Sequence, residues 1–186
     1  MNINTKEYWN KTYREDDGIR DYATTFEYIC LDLQPKERVI EFGCGKGILG
    51  KRITEQGNFY TGLDFSEVAV DEANALDVNA FVYDVLKDNN ILTSDVAIAT
   101  EFLEHFTDEE LKIVMQKITS TANRSIFSVP DDCLGNDEWK EHYQKWNKET
   151  FKEFLNQYYK DVSVFSYRNV KFKHRALLAF CRGVKQ

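Results

Sequence analysis

The sequence predicts an α/β fold: a three-layer α-β-α sandwich around a seven-stranded, mostly parallel sheet. Three observations lead there. Strand-length apolar runs alternate five times with amphipathic helical stretches, the pattern of parallel strands joined by crossover helices. The run Ser94 to Thr100 is apolar almost throughout, as suits a strand buried on both faces. Two further strand-like runs, Val162 to Tyr167 and Ala176 to Cys181, are joined by a short basic connection, which favours antiparallel pairing.

Taken in order, residues 5 to 14 set Tyr8, Trp9 and Tyr13 at near-helical spacing. Such a helix either packs on the domain or covers a bound ligand as a lid. Glu15-Asp16-Asp17-Gly18 reads as a turn. Phe26, Ile29, Cys30 and Leu33 mark a helix face that ends before Pro35, because proline disfavours a helical preceding residue. Arg38 to Phe42 is the first strand. Ile48 to Gln56 is a helix with Ile48, Leu49 and Ile53 inward and Gly57 at its C-cap. Phe59 to Leu63 is the second strand, ending at Asp64. Ser66 caps a helix through Val68, Val70, Ala73 and Leu76. Ala80 to Tyr83 is a short third strand, ending at Asp84. After the fourth strand, Thr107-Asp108-Glu109-Glu110 is a capping box for a helix with Leu111, Val114, Met115 and Ile118 inward. Arg124 to Val129 is the fifth strand, stopped by Pro130. The connection from Asp131 to about Asn147 is long enough to favour a functional role. Its Trp139, Tyr143 and Trp146 either line an acceptor pocket or pack on the next helix, whose face is Phe151, Phe154, Leu155 and Tyr158.

Composition narrows the class. A chain of 186 residues without a linker or repeat suits one domain, with 1–34 as a helical lid segment and 35–186 as the core. Its 24 basic and 31 acidic residues give a net charge of -7, which argues against a nucleic-acid partner. Cys30, Cys44, Cys133 and Cys181 are widely spaced and fit reduced thiols in the cytoplasm. The polar start of the chain is no signal peptide, and no apolar run reaches the length of a membrane span. The expected state is a monomer or homodimer away from membranes.

The chemistry gathers at the strand ends. Val39-Ile40-Glu41-Phe42-Gly43-Cys44-Gly45-Lys46-Gly47 runs from strand through a Gly-x-Gly-x-Gly turn into a helix. Glycine lets such a turn reverse sharply and bring bare backbone to a ligand, and the helix aims its N-terminal N–H groups there. In open α/β sheets ligands lie outside the carboxyl ends of the strands. Glu41, Asp64, Asp84 and Glu101 stand at four of those ends. Asp64 is placed to accept ribose hydroxyls and Asp84 an adenine amino group.

This pattern resembles the class I S-adenosylmethionine-dependent methyltransferases, small-molecule branch. The likeness rests on Glu41 to Gly47, on Leu63-Asp64-Phe65-Ser66, on Asp84-Val85, on Thr100-Glu101-Phe102-Leu103-Glu104-His105 and on Tyr8-Trp9-Asn10-x-x-Tyr13. It implies the strand order 3-2-1-4-5-7-6 with the last strand antiparallel. It implies S-adenosyl-L-methionine as cofactor, held by Glu41, Gly43, Cys44, Gly45, Gly47, Asp64, Phe65, Asp84, Val85, Glu101, Trp9 and Tyr13, and a small-molecule acceptor with an O, N or C nucleophile. Glu41 orients the methionine end, and Phe65 flanks the adenine or ribose.

Methyl transfer asks the protein to align the reactants, exclude water and, where needed, take a proton. His105 and His142 are the candidate bases. Glu-x-x-Glu-His with a later histidine also resembles the metal site of small-RNA 2′-O-methyltransferases. Glu101, Glu104, His105 and His142 are therefore an alternative metal set, against a primary expectation of no metal. A cofactor-binding subunit without catalysis is the remaining alternative. Cys44 and Cys133 are expected to be exposed near the site without a partner that would make either a nucleophile, and His174 in a solvated turn.

Overall fold

The computed structural model describes residues 4–15, 23–90, 93–131, 140–168 and 175–185. The elements in chain order are α1 (Lys6–Glu15), α2 (Ala23–Asp32), β1 (Arg38–Phe42), α3 (Ile48–Glu55), β2 (Phe59–Asp64), α4 (Glu67–Ala75), β3 (Ala80–Val82) and β4 (Val96–Thr100). A short 3-10 turn, Leu103–His105, leads to α5 (Asp108–Thr121), β5 (Arg124–Pro130), α6 (Lys148–Leu155), β6 (Tyr159–Arg168) and β7 (Arg175–Val184). The strands form one sheet of order β3-β2-β1-β4-β5-β7-β6. β1 to β5 are parallel, and β7 runs antiparallel to both β5 and β6.

Two apolar cores flank this sheet, as the alternation along the strands requires. Ile40 and Phe42, with Ala97 and Ala99, face α5 and α6, where Leu111, Met115, Ile118, Phe151 and Leu155 meet them. Val39, Val96 and Ile98 face the other way, toward Ile29 and Leu33 of α2, Leu49 and Ile53 of α3, and Val70 and Ala73 of α4. Because both faces are covered, the central strands read as nearly continuous apolar runs.

Local signals act as written in the sequence. Ser66 Oγ accepts from Ala69 N, and Thr107 with Glu110 completes the capping box. Gly57 (φ 84) follows the C-cap of α3; its N–H donates to Thr54 O while Asn58 N donates to Ile53 O. Ile48 departs from expectation. It is 44% exposed, because a helix of eight residues turns only the Leu49, Gly50 and Ile53 side to the sheet. Pro130 closes β5 as its last residue rather than stopping it one earlier. No helix among the described residues is long and apolar enough to cross a membrane.

Candidate functional site

The carboxyl ends of the parallel strands open into a cavity of about 1230 Å³. Its floor is the glycine loop, which the sheet pins from below: Gly43 N and Cys44 N both donate to Leu63 O, at 2.7 and 3.1 Å. Gly43, Gly45 and Gly47 all have positive φ. At Gly47 (φ 76) a Cβ would lie 2.7 Å from Ala73 Cβ and 3.1 Å from its Cα, so only glycine lets α3 start this close to α4.

Asp64 clamps the loop from the end of β2. Its Oδ2 accepts from Gly45 N at 3.0 Å and its Oδ1 from Ser66 N at 2.9 Å. Burial raises its pKa to about 6 against the pull of those backbone donors. Glu41 lies deeper, 1% exposed. Its Oε2 accepts from the Tyr60 hydroxyl at 2.5 Å and its Oε1 from Thr100 Oγ1 at 3.1 Å. Burial lifts Glu41 to about 8, despite both hydroxyls. Gly62, the register partner of Glu41, provides the room: a Cβ there would lie 3.1 Å from the Tyr60 hydroxyl and 2.7 Å from Cys44 Sγ.

The other candidates for the cofactor side line the same cavity: Phe65, Asp84, Val85, Trp9 and Tyr13. Asp84 Oδ1 accepts from Leu86 N at 3.0 Å, and its Oδ2 pairs with Lys87. Cys44 lines it too, but as a buried thiol that burial pushes well above its usual range, not an exposed one. α1 crosses this region. Asn10 Oδ1 accepts from Ser66 Oγ at 2.6 Å, Lys6 pairs with Glu67, and the Tyr13 hydroxyl lies over Gly45.

The far end of the cavity is built by the loops after β4 and β5. Glu101 takes a left-handed backbone (φ 48), a conformation costing a non-glycine residue about 1 kcal/mol. Ser128 holds it there, accepting from Glu101 N and donating from Oγ to Glu101 Oε1 at 2.9 Å. Glu104 in the following turn is 1% exposed. His105 Nδ1 lies 3.2 Å from Glu141 O. A carbonyl can only accept, so Nδ1 carries the hydrogen, and in the neutral ring the lone pair falls on Nε2. The His105 ring stacks edge-on with Trp9 at 4.9 Å and with His142 at 5.0 Å.

Glu104, His105 and His142 each offer a ligand atom within 4.8 Å of the others. Donors around a tetrahedral zinc lie roughly 3.4 Å apart, so the trio suits an ion after closing inward. Glu101 is not part of this group, so the alternative four-residue set that the resemblance implied reduces to three: its backbone turns Glu101 toward Ser128 on β5.

Of the two readings left open for the aromatics after β5, Trp146 takes the second, packing on the next helix. Trp146 is buried against Phe151 and Phe154, at 5.2 and 5.4 Å, and belongs to the core rather than the cavity wall. Trp139, Cys133, His174 and the turn Asp16 to Gly18 lie outside the described residues. Asn4 and Tyr60 hold the site together and carry no sequence signal, and Asn10 and Thr100, though inside the motifs that carry the resemblance, gave no sign of their partners, since a polar residue by itself announces none.

Known proteins share this fold. Over 80 residues the chain is 29% identical to a ubiquinone biosynthesis O-methyltransferase from Idiomarina loihiensis; the match covers 39% of this chain and about a third (33%) of that relative's length. The N-methyltransferase NodS from Bradyrhizobium japonicum WM9, solved with S-adenosyl-l-homocysteine, has a similar fold with a TM-score of 0.79 at 18% identity, over 97% of this chain and 98% of that one. So has a Burkholderia thailandensis 1,6-didemethyltoxoflavin-N1-methyltransferase, with a TM-score of 0.79 at 15% identity over 97% and 87%. Residues 12–166 match the family described as a methyltransferase domain, and the chain belongs to that family.

Proposed function

We propose that this chain transfers a methyl group from S-adenosylmethionine to a small-molecule nucleophile. One observation carries the reading: Glu41 and Asp64, both buried, are held by hydroxyl and backbone donors on the floor of a large cavity beside a glycine loop. Neutral donors leave the charge of Asp64 uncompensated, and a cationic ligand would draw the proton off Glu41; the cofactor carries both an ammonium and a sulfonium. Gly43, Cys44, Gly45 and Gly47 would receive its methionine end with Glu41, Asp64 and Phe65 its ribose, and Asp84 with Val85 its adenine. Glu101, Trp9 and Tyr13 complete the enclosure, with α1 as the lid. The cavity exceeds the roughly 300–1,000 Å³ of a single-ligand pocket, which supports room for an acceptor beside the cofactor.

The bound cofactor supplies an electrophilic methyl group. The chain's own work is to align the nucleophile, keep water out and take a proton where the nucleophile bears one. We assign that step to His105, through Nε2 of its neutral form, and to His142; the Nδ1 contact to Glu141 O and the packing of the two rings support the reading. The O- and N-methyltransferase relatives support a small organic acceptor. The widely spaced cysteines support a cytoplasmic setting.

Titration calorimetry with S-adenosylhomocysteine tests the cofactor assignment; absence of binding by the intact chain defeats it. A labelled-methyl screen over metabolite and RNA pools then tests the acceptor class. The Glu104, His105 and His142 trio favours a second reading, metal-assisted 2′-O-methylation of RNA. Label appearing in RNA and lost with chelator would replace the first reading by the second; full activity in chelator removes the metal.

A further inference from the structure

We infer that Asn4 is a positioning residue for the His105–His142 pair, fixing both histidine-bearing loops and the ring tautomer through one side-chain amide. The inference rests on the reading of that pair as the acceptor end of the site. Asn4 Nδ2 donates to His105 O and to Glu141 O, both at 2.8 Å, and its Oδ1 accepts from Trp9 Nε1 at 3.2 Å. These contacts span 101 and 137 residues of sequence. A primary amide has two N–H donors and one carbonyl, and all three functions are engaged. Flipping the amide would set oxygen against two carbonyls and nitrogen against an indole N–H, so its orientation is settled by its partners.

The two carbonyls are not incidental. One is His105's own. The other, Glu141 O, heads the peptide bond into His142 and is also the acceptor of His105 Nδ1–H at 3.2 Å. Asn4 therefore holds the oxygen that dictates which ring nitrogen of His105 keeps a lone pair. The same side chain anchors Trp9, whose ring lies 4.9 Å from His105. Other bonds join these loops without Asn4: Tyr143 N and Gln144 N donate to Glu104 O, and Gln144 Nε2 to Phe106 O. Loss of Asn4 thus leaves the loops attached and releases only their register.

The test compares the parent chain with Asn4→Leu, which keeps the volume without hydrogen bonds, Asn4→Ala, and Trp9→Phe, which removes the indole donor and part of the ring while leaving Asn4 Nδ2 its two carbonyl acceptors. Nitrogen NMR of the imidazoles at one pH distinguishes protonated from lone-pair ring nitrogens, with His105 assigned through His105→Gln. The parent shows His105 as the Nδ1–H form. Both Asn4 variants show a mixture with the Nε2–H form while their affinity for S-adenosylhomocysteine stays within about threefold of the parent, and Trp9→Phe shows a smaller tautomer change. An unchanged tautomer in both Asn4 variants overturns the inference. So does a loss of affinity beyond about tenfold in parallel with the tautomer change, which would make Asn4 a general anchor of α1. If the parent chain binds no S-adenosylhomocysteine, the cofactor assignment fails while the tautomer comparison still decides the role of Asn4.

Discussion

The two ends of the sheet treat carboxylates differently. At the amino ends, acids meet guanidinium groups. Arg124, at the start of β5, donates to Asp32 Oδ2 at 2.7 Å and to Glu37 Oε1 at 2.6 Å, tying α2 to the sheet, and Arg182 approaches Asp32 at 3.6 Å. Arg38 pairs with Asp95 across β1 and β4. At the carboxyl ends, Glu41 and Asp64 are more deeply buried, yet hydroxyls and backbone N–H groups hold them. An acid beside arginine is already compensated and serves the fold. A buried acid held by neutral donors keeps its charge, or its proton, in reserve for a ligand.

The contrast breaks most readily at Asp64. Asp64→Ala is expected to weaken S-adenosylhomocysteine binding about 100-fold, or ~2.7 kcal/mol, by calorimetry. An unaltered affinity would erase the distinction between the ends. Next comes Arg124→Ala, which leaves Asp32 and Glu37 without their shared cation at a site only 17% exposed. Stability should fall by ~2–3 kcal/mol in denaturant titration while ligand affinity changes less than about twofold.

A third effect is a pH dependence confined to the carboxyl end. Glu41 and Asp64 hold protons in the fold up to about 8 and about 6, against ordinary values of 4.5 and 3.8. Between those values the folded chain binds protons that the unfolded chain has released, so stability declines as pH rises. For Asp64 the decline ends near pH 6, and for Glu41 near pH 8. Glu41→Gln should flatten the upper part of the curve, removing about 2 kcal/mol of decline between pH 6 and 8 in melting measurements. The smallest effect belongs to Gly57→Ala at the amino end. Its φ is 84 and a Cβ there meets nothing within 4 Å, so only backbone strain of about 1 kcal/mol should register in the melting curve, with ligand affinity unchanged.

Much of the carboxyl end was legible before any coordinates. Glu41, the glycines, Asp64 and Asp84 announce themselves because strand ends and turns restrict residue type locally. The capping residues Ser66 and Thr107 are readable for the same reason. Trp146 was not: an aromatic residue in a long loop fits a pocket or a core equally well, and only its packing on Phe151 and Phe154 decides. Nor was Glu101's separation from Glu104 and His105, since spacing along a turn does not reveal a left-handed backbone.

By itself the sequence determined the element order, the parallel core, the glycine loop and the acids at the strand ends, because periodicity and turn chemistry act over a few residues. Tertiary structure alone decided what each acid touches: Tyr60 and Thr100 at Glu41, Gly45 and Ser66 at Asp64, arginine at Asp32 and Glu37. It also brought Asn4 to two carbonyls more than 100 residues away. Such partners are chosen by strand register and by which loops converge over the sheet, and hydrogen-bond geometry is satisfied only once the chain has closed on itself.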